Sequence, residues 1–232
     1  MPTKSKINTP RSLVTSSSKQ SLWTSHERNT SLFLLSMYVA GVVGLALPIH
    51  EDFVLLTPFN LLVSLALVLW HHPSKNLAVY GFVAICFVVG FFVELMGVQT
   101  GLIFGEYSYG EALGWKIGGT PLLIGVNWAL LVYASAALVN ALFSGGHWFV
   151  KSVLGALAMT LLDVLIEPVA MEIGFWHWVE NEVPLQNYIA WFLVALPLHG
   201  CFHLLLGKPN NKVAIVLFIL QCSFFGILAV LL

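Results

Sequence analysis

Three carboxyl side chains sit in otherwise apolar stretches of the sequence, Glu94 in one and Asp163 with Glu167 in another. On insertion scales an ionised carboxylate at the centre of a spanning helix costs about 2.5 to 3.5 kcal/mol, so three would cost roughly 8 to 10 kcal/mol if all were charged and central. The cheapest response is to keep at least one proton, because removal from water disfavours the charged form. A carboxylic acid still protonated near neutral pH is a general acid. Asp163 and Glu167 are four residues apart, so a helix sets them on one face, with Thr160 a turn earlier on the same stripe. Two acids that close share a proton and titrate as a pair. Pro168 follows directly; it removes the helix donor for the Val164 carbonyl, which leaves a polar acceptor beside the acids and predicts a kink. A packing role, with the acids bonding to neighbouring helices, is the alternative. An acid at membrane depth favours function over that.

The elements that must position these groups are membrane spans. With 58% hydrophobic and only 9% charged residues, the composition lies outside the range of soluble globular domains. Apolar stretches near 31–48, 53–70, 77–98, 120–143, 148–171, 187–206 and 213–231 each approach the length that crosses about 30 Å of hydrocarbon. The expectation is an all-α polytopic transmembrane bundle of about seven spans. Residues 31–232 form its single domain, and residues 1–30, rich in Ser, Thr and Lys, read as a disordered cytoplasmic tail and not as a signal peptide. Cys86, Cys201 and Cys222 all fall within spans and read as small apolar packing residues, with no disulfide or metal cluster suggested.

Orientation follows from the basic residues. With the N-terminus cytoplasmic, Lys4, Lys6, Arg11, Lys19, Arg28, Lys75, Lys151, Lys208 and Lys212 face inward and only Lys116 faces outward. Glu51, Asp52, Glu106, Glu111, Glu172, Glu180 and Glu182 then occupy outer loops. The third and fifth spans run outward, so Glu94 and Glu167 lie roughly 6 Å from the outer end and Asp163 about one turn deeper. All three acids converge on one leaflet of a multi-pass protein of the cell membrane.

Between the third and fourth spans, Thr100 to Pro121 reads TGLIFGEYSYGEALGWKIGGTP, too apolar for an exposed loop and expected to fold back on the bundle. Its glycines permit tight turns, and Phe104, Tyr107, Tyr109 and Trp115 supply aromatic surface. Phe175, Trp176 and Trp178 form a second aromatic group on the next outer loop. An interfacial aromatic belt and a lid whose π-faces stabilise a cation are both compatible with this pattern.

Four strings taken in order resemble the membrane carotenoid-biosynthesis family, which includes carotenoid 1,2-hydratases and bisanhydrobacterioruberin hydratases. They are ELMGVQTGLIFGEYSYG from Glu94, LGWKIGGTPLLIGVNW from Leu113, DVLIEPVA from Asp163 and FWHWVENEVPLQNY from Phe175. The resemblance runs from about Ala78 to Phe192. It implies a hydro-lyase acting in isoprenoid metabolism without a cofactor or metal, adding water to the terminal carbon–carbon double bond of an acyclic carotenoid to give a tertiary alcohol. The implied partners are that polyene, membrane lipid and other enzymes of the pathway, with no nucleic acid.

The residues suit such a reaction. Protonating a trisubstituted alkene gives a tertiary carbocation that water captures, which needs an acid, a group to stabilise the cation and a base to position water. One of Asp163 and Glu167 is the expected acid and Glu94 the water-orienting base, or the reverse. Asn127 and Tyr107 are candidates to hold the water, and Trp115, Trp128 and Trp176 to face the cation. A carotenoid is about as long as the hydrocarbon layer is thick, so its end group would reach the depth of the acids.

Rival readings differ in what they require. A retinal-binding bundle needs a Lys in the last span, and 213–231 has none. A di-iron oxygenase needs several histidine boxes, whereas His199 and His203 form an isolated i, i+4 pair better explained by hydrogen bonding, beside His71–His72. A prenyltransferase would want two Asp-rich motifs. An ion-coupled transporter remains open, although no internal repeat supports it. So does a carotenoid end-group cyclase, which shares the protonation step. The orientation is checked by cysteines placed at Ser5 and Asn181. They should label from opposite sides of the membrane, and labelling from one side would mean a miscounted span.

Overall fold

A computed structural model describes residues 23–47 and 51–232. Seven helices among them are long and apolar enough to cross a membrane, and the protein is an all-α polytopic bundle. They are α1 (Ser25–Ala46), α2 (Thr57–Trp70), α3 (Leu77–Thr100), α4 (Leu123–Leu142), α5 (Trp148–Glu172), α6 (Leu185–Leu205) and α7 (Lys212–Leu231). At 14 residues α2 alone is short for a crossing, and the 3₁₀ turn Glu51–Leu56 before it extends the apolar segment to Asp52–Trp70.

Six of the expected spans match these bounds within a few residues. The first begins earlier, because Thr24 and Glu27 form a reciprocal capping box that starts α1 at Ser25. Residues 25–30 of the expected tail are therefore helical, and the tail expectation for residues 1–22 lies outside the described residues. Helix α5 continues through Pro168 to Glu172.

Helix α4 is the hub. It packs against α2, α3, α5, α6 and α7 and is buried around nearly its whole circumference, including the small-residue run Ala134–Ser135–Ala136–Ala137. In lipid no hydrophobic force drives helices together, so close backbone approach over small residues carries the packing. Two glycines fix where partners dock. A Cβ on Gly90 of α3 would collide with the Trp128 indole of α4, and one on Gly155 of α5 with the His199 ring of α6.

His199 is structural. Its ring bonds to Ser135 Oγ at 2.8 Å and to the Ala195 carbonyl at 2.8 Å, tying α6 to α4. At the same end, Tyr133 joins His72 at 2.5 Å and Asn211 at 3.1 Å, and Asn211 also donates to the Val68 carbonyl at 2.8 Å. These contacts lock the start of α7 to α2 and α4.

The connections at the other end form two small antiparallel ribbons. Strand β1 (Tyr107–Tyr109) pairs with β4 (Trp176–Trp178), and β2 (Lys116–Ile117) with β3 (Thr120–Pro121). The Thr100–Pro121 connection does fold back: Phe104, Tyr107, Leu113 and Thr120 are buried. Gly110 allows the closest approach, since a Cβ there would strike the Gly174 carbonyl, and its N–H donates to the Phe175 carbonyl at 2.8 Å. The other end of the ribbon is held by Val179 N–H to the Glu106 carbonyl at 3.0 Å.

Candidate active site

Strand geometry explains why a ribbon three residues wide can serve two acids. In the register Tyr107↔Trp178, Ser108↔His177, Tyr109↔Trp176, alternate side chains share a face. Ser108 and His177 are exposed, while Tyr107, Tyr109, Trp176 and Trp178 turn toward the bundle. Each strand supplies one acid with two donors.

Glu94, on α3, is buried, with its Oε2 accepting from the Tyr107 hydroxyl at 2.5 Å and the Tyr109 hydroxyl at 2.8 Å. Its Oε1 accepts from Trp128 Nε1 at 3.0 Å. Glu167, on α5, mirrors it: Oε2 accepts from Trp176 Nε1 at 2.8 Å and Trp178 Nε1 at 2.9 Å, and Oε1 from Asn187 Nδ2 at 3.0 Å. The same Asn187 amide donates to Asp163 Oδ2 at 3.0 Å, so one α6 side chain bridges the pair on α5. The other Asp163 oxygen has no partner among the described residues, although the residue is fully buried. No Lys or Arg reaches any of the three carboxyls among the described residues.

The donors are stacked as well as bonded. Tyr107 lies 4.9 Å from Trp178 and Tyr109 lies edge-on to Trp176 at 6.0 Å, across the strand pair. Trp128 stacks on Trp191 of α6 at 4.6 Å. Burial, reinforced by the Glu94 charge, pushes the Tyr107 and Tyr109 phenols far above their ordinary range, so both remain protonated donors.

Two cavities meet here. A chamber of about 20 Å³ is lined by Glu94, Tyr107, Tyr109, Asn127, Glu167 and Trp176, among others. It has room for about one water molecule. A second cavity of about 330 Å³, walled largely by apolar side chains of α1, α2, α4 and α7, shares Ile124, Asn127 and Trp176 with the chamber. Asn127 lines both, and its side chain forms no hydrogen bond among the described residues.

The family described as carotenoid biosynthesis protein matches residues 53–232. The chain belongs to that family. A bisanhydrobacterioruberin hydratase from Haloarcula japonica is 36% identical over 113 residues, a match covering 44% of this chain and 36% of that protein. The chain thus aligns with little more than a third of that relative's length. No solved structure matches. The family match takes in all three acids and both strands of the ribbon, while the α1 wall of the larger cavity lies outside it.

The structure brings together Glu94, Glu167, Tyr107, Asn127, Trp128 and Trp176 around the chamber, with Asp163 behind Glu167. Trp115 is not among them. Its backbone joins the β2–β3 hairpin through the Leu122 N–H at 2.9 Å, but its side chain is 88% exposed because the hairpin turns it outward. Tyr109, Trp178, Asn187 and Trp191 complete the lining and were not singled out as site residues from the sequence. The signal for two of them was the matched alternation of Tyr-Ser-Tyr with Trp-His-Trp, a strand period in two separate segments.

The bridge makes a specific demand. Asn187→Leu should strip one donor from each acid of the α5 pair and leave buried acceptors unpaired, at a cost of about 1 to 3 kcal/mol. Thermal unfolding in detergent should show a clear drop in midpoint, and an unchanged midpoint would mean that the bridge carries no stability.

Proposed function

We propose that this protein is a cofactor-independent hydratase that adds water to the terminal C=C bond of an acyclic carotenoid end group. The observation that carries the reading is the pairing of cavities: two carboxyls face a water-sized chamber that adjoins an apolar cavity within the 300 to 1,000 Å³ range of ligand pockets. Membership of the carotenoid biosynthesis family and the name of the Haloarcula relative support it.

In this reading the polyene end enters the larger cavity and meets the chamber at Ile124, Asn127 and Trp176. The Asp163–Glu167 pair supplies the proton. Glu167 lines the chamber and touches substrate; Asp163, joined to it through Asn187, holds the reserve proton as a positioning residue. Proton transfer to the less substituted alkene carbon forms a C–H bond and leaves a tertiary carbocation. The Trp176 and Trp128 faces stabilise that charge. Water held by Glu94, with Asn127 as a further partner, attacks the cation and forms the C–O bond. Glu94 takes the released proton, which returns to the α5 pair and closes the cycle with no electrons moved.

The Tyr and Trp donors fix the carboxyl oxygens before substrate arrives, so little reorganisation is needed as charge develops. In this proposal the N-terminus is cytoplasmic, the protein lies in the cell membrane, and the chamber opens at the outer leaflet.

The reaction is tested by the origin of the added atoms. Expressed in a lycopene-producing host, the protein should yield pigment heavier by one water. In deuterated water the product should carry one non-exchangeable deuterium on the carbon next to the alcohol, and labelled water should supply the oxygen. Unchanged mass with altered retention would instead identify a cyclase, oxygen derived from O₂ would identify a hydroxylase, and unchanged pigment with proton-coupled solute uptake would identify a transporter.

A further inference from the structure

The end of the bundle opposite the acids carries a charge cluster that the reaction does not use. Lys151, within the first turn of α5, is 2% exposed, and its ammonium donates to the neutral Asn140 side chain at 3.1 Å. Lys208, exposed in the connection between α6 and α7, donates to the Ser144 carbonyl at 3.0 Å. Asn140 in turn donates to the Gly207 carbonyl at 3.4 Å, which brings the Gly207–Lys208 segment, one turn beyond His203, against the Lys151 side chain. His203, one turn from the end of α6, is 8% exposed, lies against the Gly207 and Lys151 main chain, and has no hydrogen bond at its buried Nε2 among the described residues.

No carboxylate offsets this charge among the described residues. Glu27, the acid at this end, is held by Lys212 at 3.3 Å and by its own capping box with Thr24. The first turn of α5 contains no acid either; His147 Nδ1 caps the Phe149 N–H at 3.2 Å, and the positive dipole end of the helix adds to the same field. A buried ammonium beside a second cation is costly unless an anion meets it. The groups present are the donors such an anion would need: two ammonium groups and an imidazole nitrogen, beside the exposed Ser144–Gly145–Gly146–His147 turn.

We propose that Lys151, Lys208 and His203 form a binding site for a phosphate oxyanion, carried by the headgroup of a membrane phospholipid. The depth favours lipid over soluble phosphate. The cluster sits where α4, α5 and α6 end, and Leu142, Phe143, Trp148 and Phe149 beside it are exposed apolar side chains along which acyl chains would lie. Basic pockets between spanning helices at a membrane face take lipid headgroups by this chemistry. Lys151 and Asp163 are twelve residues apart on α5, about 18 Å along the helix, so the site is separate from the chamber.

The full chain purified in detergent tests this through its thermal unfolding midpoint. Phosphatidylglycerol should raise the midpoint of the wild type by at least about 3 °C. Diacylglycerol with the same acyl chains, which lacks phosphate, should not. Lys151→Gln and Lys208→Gln should each abolish most of the rise, and Lys208→Gln, on an exposed connection, keeps the test open if the buried variant fails to fold. Inorganic phosphate matching the lipid in the wild type would support the oxyanion site and assign it to a soluble anion. Equal stabilisation by diacylglycerol, or a Lys208→Gln variant that responds like the wild type, would overturn the proposal.

Discussion

Three buried carboxyls with no cation beside them among the described residues must be satisfied by neutral donors, and much of the architecture at that end of the bundle answers that requirement. Seven hydrogen bonds reach them, two from phenols, three from indoles and two from one amide. In a largely apolar bundle each such bond spares a polar atom the penalty of lying unpaired. The strand pair of β1 and β4 exists at the one place where a helix could not deliver these groups, because a period of two sets neighbouring donors side by side while a helix would fan them around its axis. Gly110, Gly105 and the main-chain bonds at the ribbon's ends serve that placement.

In the proposed reading, polar groups held this way are arranged for chemistry as well as stability. The acids are fixed on rigid helices, four of their donors sit on a short stapled ribbon and the rest on α4 and α6, and the Asn127 side chain between the two cavities forms no hydrogen bond among the described residues. Glu94 and Glu167 are alike in having three donors each, and what separates them is Asp163 behind Glu167. That asymmetry underlies the proposed division between a proton-sharing pair and a single water-orienting carboxylate. The larger cavity is walled largely by apolar side chains, which in the proposed reading suits binding, while the small chamber suits reaction. They touch only through Ile124, Asn127 and Trp176.

The spans were legible because hydropathy and length suffice to find them, and the acids stood out because nothing else at membrane depth is charged at that end. Trp128 and Trp176 were reached as faces for the cation and Tyr107 as a holder of the water, yet the N–H and hydroxyl groups of all three turn out to bond the acids. Distances between segments decide that, and a single sequence does not carry them. Trp115 reads like its aromatic neighbours, but the hairpin it enters points it away from the bundle. Asn187 sits early in a span with nothing local to mark it, and its role depends on α6 lying against α5 at that height. The start of α1 was readable from the Thr24–Glu27 capping pattern, which the Ser- and Thr-rich composition around it obscured.

The central claim is that Glu94 and Glu167 act on substrate at the shared chamber. Turnover of Glu94→Gln and Glu167→Gln in membranes, beside Trp115→Ala as a surface control, tests it most directly. Amides keep the size and much of the hydrogen bonding but cannot exchange an acidic proton. The expected result is a loss of at least about a hundredfold in each acid variant, with insertion intact and Trp115→Ala near wild type. Near-normal turnover in both acid variants would contradict the account and leave the buried carboxyls as packing elements.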